Sequence, residues 1–228
     1  MLDAACGAGA RIDVAVYTPE AAADERHAAL RERIRALGAR AVVVAPEVFA
    51  ALTRVETPQG ALAIAARPAP PELAHLAAAD TLAVVLDAVQ DPGNVGAIVR
   101  TAAAAGATAV ATVGGAADPF GPKALRASAG AAFRMPVLHF EDAGAAAAAL
   151  RERGVRLVVA DTRGDDLASA PVFERPVALV FGNEGAGTGA AWRHARATFV
   201  RVPTAAGVES LNVAAAAAVL LYRAAGLL

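Results

Sequence analysis

Five residues in three short segments carry most of the chemistry in this chain. Asn94 and Arg100 lie in Asp91-Pro92-Gly93-Asn94-Val95-Gly96-Ala97-Ile98-Val99-Arg100. Glu184 lies in Phe181-Gly182-Asn183-Glu184-Gly185, and Ser210 and Asn212 in Val208-Glu209-Ser210-Leu211-Asn212-Val213. A guanidinium, a carboxylate, two carboxamides and a hydroxyl form a set suited to hydrogen-bonding a polar ligand and stabilising charge. Each segment puts glycines and polar residues directly beside an apolar run, so each reads as a loop joining a buried strand to a helix. In open α/β sheets, ligands sit at such loops.

Taken singly, each residue also has a plain structural reading. Asp91-Pro92-Gly93 supplies turn chemistry, Asn94 is placed to cap a helix starting at Val95, and Arg100 then lies one and a half turns in, free to pair with a surface carboxylate. Glu184 in a loop with Gly182, Gly185 and Gly187 fits an ordinary solvated turn as well as a ligand cradle. Ser210 or Glu209 could cap the helix that follows. Asn212, an amide amid alanines and valines, demands hydrogen-bond partners. No Gly-Lys-Ser/Thr follows the glycine-rich loop, so a P-loop is not supported, and Gly93 and Gly96 do not form the Gly-x-Gly-x-x-Gly dinucleotide fingerprint.

The elements that must position these residues fall into two sets. Before the linker, strands are predicted at 11–18, 41–45 and 61–65, with helices at 19–37, ended by Gly38, and at 47–52. The run Arg67-Pro68-Ala69-Pro70-Pro71 breaks regular pairing and marks a linker. Domains are therefore expected at 1–66 and 81–228, joined by 67–80. Beyond the linker, apolar strands at 82–86, 109–113, 156–160, 177–181 and 198–202 alternate with helices at 95–105, 123–129, 143–153 and 211–225, the pattern that builds a parallel sheet. The alanine-rich stretches 145–149 and 214–218 are strong helix formers.

Composition narrows the classes. Hydrophobic residues make up 57% of 228, but no apolar stretch is continuous over the ~20 residues a membrane span needs. No basic, then apolar, secretory signal opens the chain. The single Cys6 rules out an internal disulfide or a cysteine-built zinc site and reads as a spectator thiol in a reducing cytoplasm. A net charge of −1 argues against a strongly basic nucleic-acid binder. Lys123 is the only lysine among 21 basic residues, a bias that genomic base composition accounts for.

The three segments, in this order, resemble the signature motifs of the SpoU (TrmH-type) RNA ribose 2′-O-methyltransferases of the SPOUT superfamily. Leu86-Asp87, Arg100-Thr101, Gly106, the segment Pro122-Lys123-Ala124-Leu125-Arg126-Ala127-Ser128-Ala129-Gly130 and Phe133-Arg134-Met135-Pro136-Val137 extend the likeness over 82–228. Ala103 stands where many relatives carry an acidic residue. Glu56-Thr57-Pro58-Gln59-Gly60 resembles the end of the small α/β RNA-binding domain that precedes the catalytic domain in many members.

The resemblance implies an α/β fold whose C-terminal SPOUT parallel sheet carries a deep trefoil knot, an exception to unknotted topology. A small, N-terminally shortened α/β RNA-binding domain would precede it. It implies S-adenosyl-L-methionine held by loops near Ala160, Gly182, Val202 and Leu211. RNA is the implied partner, ribosomal rather than transfer RNA, with a cytoplasmic homodimer, no metal and no membrane. Asn94, Arg100, Glu184, Ser210 and Asn212 are the implied catalytic set, with Arg100 of one protomer facing the cofactor of the other. The family proposal makes the arginine a base; because guanidinium stays protonated, phosphate binding and alkoxide stabilisation are its minimum role. No histidine or cysteine nucleophile is required, so His27, His75, His139 and His194 read as structural or solvent-exposed. The competing readings are a methyltransferase of transfer RNA, an inactive RNA-binding homologue, and a nucleotide-cofactor oxidoreductase on an ordinary doubly wound sheet.

Overall fold

A computed structural model describes residues 1–53, 55, 57–76, 79–167 and 173–228. Glu56 of the 56–60 segment and the side chain of His75 lie outside the described residues. The chain divides into two compact units, Met1–Ala69 and Pro70–Leu228.

The first unit is a three-stranded sheet. Strand β1 (Ile12–Tyr17) is central, parallel to β2 (Arg40–Val43) and antiparallel to β3 (Ala61–Ala65). Helices α1 (Leu2–Gly7), α2 (Pro19–Ala23), α3 (Ala28–Ala36) and α4 (Pro46–Leu52) complete it. Ile12, Ala15, Tyr17 and Ile34 form the centre of its core. The single helix expected over 19–37 is broken by Asp24, whose carboxylate accepts from the Arg26 amide at 2.9 Å and ends the first helical segment. This is the local competition with helical bonding that Asp side chains exert. Helix α1 was not anticipated, because six residues give no readable periodicity.

The second unit is built on a six-stranded sheet in which every observed pairing is parallel, with order β6-β5-β4-β8-β7-β9. The strands are β4 (Leu82–Asp87), β5 (Ala109–Val113), β6 (Val137–Phe140), β7 (Arg156–Asp166), β8 (Val177–Phe181) and β9 (Thr198–Arg201). In β4 and β8 all positions are buried. Alternate residues supply two cores: Leu82, Val84, Leu86, Leu179 and Phe181 face one side, Ala83, Val85, Ala178 and Val180 the other. Two-sided burial is why these strands read as unbroken apolar runs. Helices α5 (Pro92–Ala104) and α9 (Val213–Ala224) cover the first side, and α7 (Ala143–Glu152) and α8 (Ala191–His194) the second. The short α6 (Pro122–Ala127) packs beside α5.

Two strand features escaped the sequence. β6 is a four-residue strand with one fully buried position, too short and mixed to stand out. β7 runs six residues past Ala160 through Asp161-Thr162-Arg163-Gly164-Asp165-Asp166, a polar stretch held because β9 resumes pairing with it after an irregularity, at Asp165 and Asp166. Gly164 is needed there, since an added Cβ would sit 2.5 Å from the Val200 amide nitrogen.

Candidate functional site

The site grows from the carboxyl ends of β4, β7, β8 and β9. At the end of β4 the chain turns into α5, which begins at Pro92, not Val95. Asp91 is the cap: its Oδ1 accepts from the amides of Gly93 at 2.6 Å and Asn94 at 3.1 Å. Proline at the first helical position needs no amide partner, which suits this start. Lys123 Nζ meets Asp91 Oδ2 at 2.9 Å, and that bond, with the helix amides, holds the Asp91 carboxyl below its usual range. Asn94 is thus relieved of capping and sits in the first turn with its side chain available. Arg100 lies more than two turns into the helix.

At the far end of the unit the cap of α9 is Asn212, not Ser210 or Glu209. Its Oδ1 accepts from Ala214 at 2.9 Å and Ala215 at 3.4 Å. Two backbone donors fix which amide atom faces the helix, so Nδ2 points outward and donates to Asn94 Oδ1 at 3.1 Å. That leaves Asn94 Nδ2 to donate to Glu184 Oε1 at 2.9 Å. Three side chains, from the first turn of α5, the cap of α9 and the loop after β8, therefore form one chain of hydrogen bonds with every orientation determined. Burial pushes the Glu184 carboxyl up, but Asn94 and the surrounding amides outweigh it and the net shift is downward, so the carboxylate is ionised at neutral pH.

The loop carrying Glu184 is pinned on both sides. Asn183 Oδ1 accepts from the amides of Gly185 and Ala186, each at 2.9 Å, while its Nδ2 donates to the Ala88 carbonyl at 3.1 Å. A Cβ at Gly182 would come within 2.6 Å of the Gly187 backbone and Thr188 Cγ2, so the loop can close only around glycine. Beyond it, Asp87 Oδ2, 7% exposed, accepts from the indole of the fully buried Trp192 at 2.8 Å and from the Gly189 amide at 3.0 Å. Sequence reasoning missed this anchor. The signal was present in an acid ending an all-apolar strand and in the only tryptophan.

These loops enclose a cavity of about 800 Å³, within the size range of small-molecule and cofactor sites. Ala160, Gly182, Val202 and Leu211 all line it, and so do Glu184, Ser210 and Asn212. Asn94 stands behind Glu184 outside the lining. Arg100 is also outside it, exposed, and its guanidinium has no partner among the described residues.

The walls suit a nucleoside bearing a positive charge. Val208 and Leu211 leave half and 40% of their surface exposed beside the cavity, apolar area that a flat base would cover. The amides of Ser210 and Leu211 donate to nothing among the described residues. Carboxylates of Asp161, Glu184 and Glu209 lie in the lining. Asp161, its side chain 11% exposed, is pushed up by burial, but bonds from Arg163 and the charge of Arg193 hold it below the usual range. Among the described residues, no cluster of His, Cys, Asp or Glu could hold a metal ion, and no helix is long and apolar enough to cross a membrane.

A parallel α/β unit with a ligand cavity built from the middle of β7 and the loops after β8 and β9 is the architecture of a small-molecule-dependent enzyme. Comparison with known proteins makes the class specific. The family model described as the SpoU rRNA Methylase family matches residues 81–222, and the chain belongs to that family. It is 38% identical over 190 residues to the 23S rRNA (guanosine(2553)-2′-O)-methyltransferase RlmP of Bacillus subtilis, spanning 83% of this chain and 74% of that one. The SpoU methyltransferase AviRb of Streptomyces viridochromogenes, solved in complex with AdoMet, superposes with a TM-score of 0.85 at 30% identity, over 99% of this chain and 87% of that one. An AdoMet-bound rRNA methyltransferase from Sinorhizobium meliloti gives 0.86 at 29% identity, over 100% and 84%.

Proposed function

We propose that the protein transfers a methyl group from S-adenosylmethionine to a ribose 2′-hydroxyl of ribosomal RNA. The observation that carries this reading is the oriented Asn212–Asn94–Glu184 chain at the rim of a nucleoside-sized cavity. When bound, S-adenosylmethionine supplies a sulfonium-activated methyl group. The attacking oxygen must approach in line, so catalysis is dominated by positioning. Ala160, Gly182, Val202 and Leu211 would hold the cofactor, and Glu184, Ser210 and Asn212 would set the surrounding hydrogen bonds. Asn94 fixes both Glu184 and Asn212.

Arg100 supplies a phosphate grip and stabilises the developing alkoxide. Its position outside the cavity lining favours action on the cofactor of a second protomer, which makes the working unit a homodimer with composite sites. The insertion of β8 between β4 and β7, and the return of α9 to α5 after the edge strand β9, support the knotted path of the family. The unit Met1–Ala69 would help select the RNA. The cytoplasm is the compartment in which such a substrate is met.

Mapping of ribose methylations in ribosomal RNA from a deletion strain tests the reaction. Loss of one 2′-O-methyl group, restored by the wild-type gene and not by an Asn94→Ala copy, is expected. An unchanged methylation map would overturn it. Mixing Arg100→Ala with Asn212→Ala protein should regenerate activity after subunit exchange if the site is composite. Purely additive loss would place both residues in one protomer's site.

A further inference from the structure

We propose that the ledge formed by α6 and the turn after it, beside α5, is a phosphate-binding track for the RNA, with Arg126 and Arg134 as its contacts. The inference rests on the methyltransferase reading above and names a surface that the reaction itself does not require.

Residues 92–140 carry Arg100, Lys123, Arg126 and Arg134 against a single carboxylate, Asp118, in a chain of net charge −1. Asp118 is already engaged by the Phe120 amide at 3.0 Å. Arg100, Arg126 and Arg134 are exposed and have no hydrogen-bond or ion-pair partner among the described residues. Elsewhere in the chain Arg26, Arg33, Arg35, Arg156, Arg163 and Arg193 meet carboxylates, and the exposed Arg40 and Arg196, without partners among the described residues, stand singly on or beside other elements. Cations left unpaired so close together repel one another, a cost that an anionic ligand removes.

Packing makes these charges contiguous. A Cβ at Gly93 would lie 3.6 Å from Lys123 Cε, and one at Gly96 would lie 2.3 Å from the Ala124 carbonyl oxygen and 2.6 Å from Ala127 Cβ. Helices α5 and α6 therefore advance side by side in the same direction. Lys123 and Arg126, three residues apart, share one side of α6. Arg100 continues the stripe of Gly93 and Gly96 on α5, about 10 Å along the axis from Gly93 at 1.5 Å per residue. The 3-10 turn Ala131–Phe133 packs on α5, and Arg134 follows it directly. The track thus leads from the Asp91–Lys123 pair, next to the Asn94 chain, out along α6. Arginine suits it because the planar guanidinium grips phosphate oxygens two at a time.

The test measures binding of protein-free 23S ribosomal RNA and of a labelled RNA hairpin across a salt series. It compares wild type, Arg126→Ala/Arg134→Ala and Arg126→Lys/Arg134→Lys, with S-adenosylmethionine affinity read separately by calorimetry. Two lost phosphate contacts should reduce the slope of log K against log salt by roughly 1.4–1.8. The KM for RNA should rise, with kcat and cofactor affinity unchanged, and the lysine variant should keep most of the slope. A wild-type slope in the alanine variant overturns the track and leaves the methyltransferase reading intact. Wild-type protein that binds S-adenosylmethionine but neither RNA overturns the choice of substrate, and the track with it.

Discussion

Gly96→Ala is the most direct probe of how packing reaches the chemistry. On helix propensity alone the change should help, because alanine is about 1 kcal/mol better than glycine inside a helix. The structure reverses the sign. The new methyl would stand 2.3 Å from the Ala124 carbonyl oxygen and 2.6 Å from Ala127 Cβ. Both lie on a packed helix, one of them backbone, so α5 and α6 must separate by at least about 0.7 Å to reach a 3.0 Å approach. Overpacking of this kind costs about 1–3 kcal/mol. After the propensity gain, a net loss of up to about 2 kcal/mol remains, or a fall of up to several degrees in Tm for a chain of this size. The larger effect is on turnover. Asn94 and Arg100, the proposed positioning groups, ride on α5, and a displacement approaching 1 Å of groups that position a reaction costs about 10²-fold. Methyl transfer from labelled S-adenosylmethionine to undermethylated 23S ribosomal RNA, with a parallel thermal melt, measures both. A variant with raised Tm and undiminished kcat would refute the reasoning, since it would show that the helices separate without consequence.

Three further outcomes follow from the site. Arg100→Lys should lose about 10²–10³ in kcat while its S-adenosylmethionine affinity stays unchanged in calorimetry, because an ammonium cannot make the two-pronged contact; near-normal turnover would reduce the role to charge. Trp192→Phe leaves the buried Asp87 carboxylate with the Gly189 amide as its one remaining donor among the described residues, so stability should drop by about 1–3 kcal/mol in denaturant titration and cofactor binding should weaken as the 182–190 loop loosens; unchanged affinity would show that the anchor does not shape the cavity. Glu184 has its pKa lowered from 4.5, so its contribution to stability is complete above that value and is lost as pH falls through the lower folded-state pKa; the acid limb of the urea midpoint should therefore soften in Glu184→Gln, and identical acid limbs would contradict the hydrogen-bonded carboxylate.

The sequence was most legible where one physical signal dominated. β5 and β8 appear over the expected residues because two-sided burial leaves only apolar side chains there. It was least legible where tertiary pairing or side-chain competition overrode local pattern. The polar extension of β7 is a strand because β9 supplies its partner, and the 19–37 segment breaks at a single aspartate. The site residues were named from their types and order, yet both caps at the site were assigned to the wrong neighbours. Asp91 and Asn212 compete with Asn94, Ser210 and Glu209 for the same amides, and only the three-dimensional turn decides. The Asp87–Trp192 bond joins residues 105 apart, beyond any window that periodicity can read.

The position of the last helix sets the order in which the protein becomes competent during synthesis. The cavity walls come from segments around 160–163, 181–187 and 200–216, and α9 closes them by returning to α5, more than a hundred residues earlier in the chain. While a ribosome is still extending the chain, β4 and β5 can pair, but the cavity proposed for the methyl donor is not complete until Val213–Ala224 has emerged and docked. Contacts this distant in sequence form slowly. Capacity to modify RNA is therefore withheld from the nascent chain and conferred only as its final helix settles.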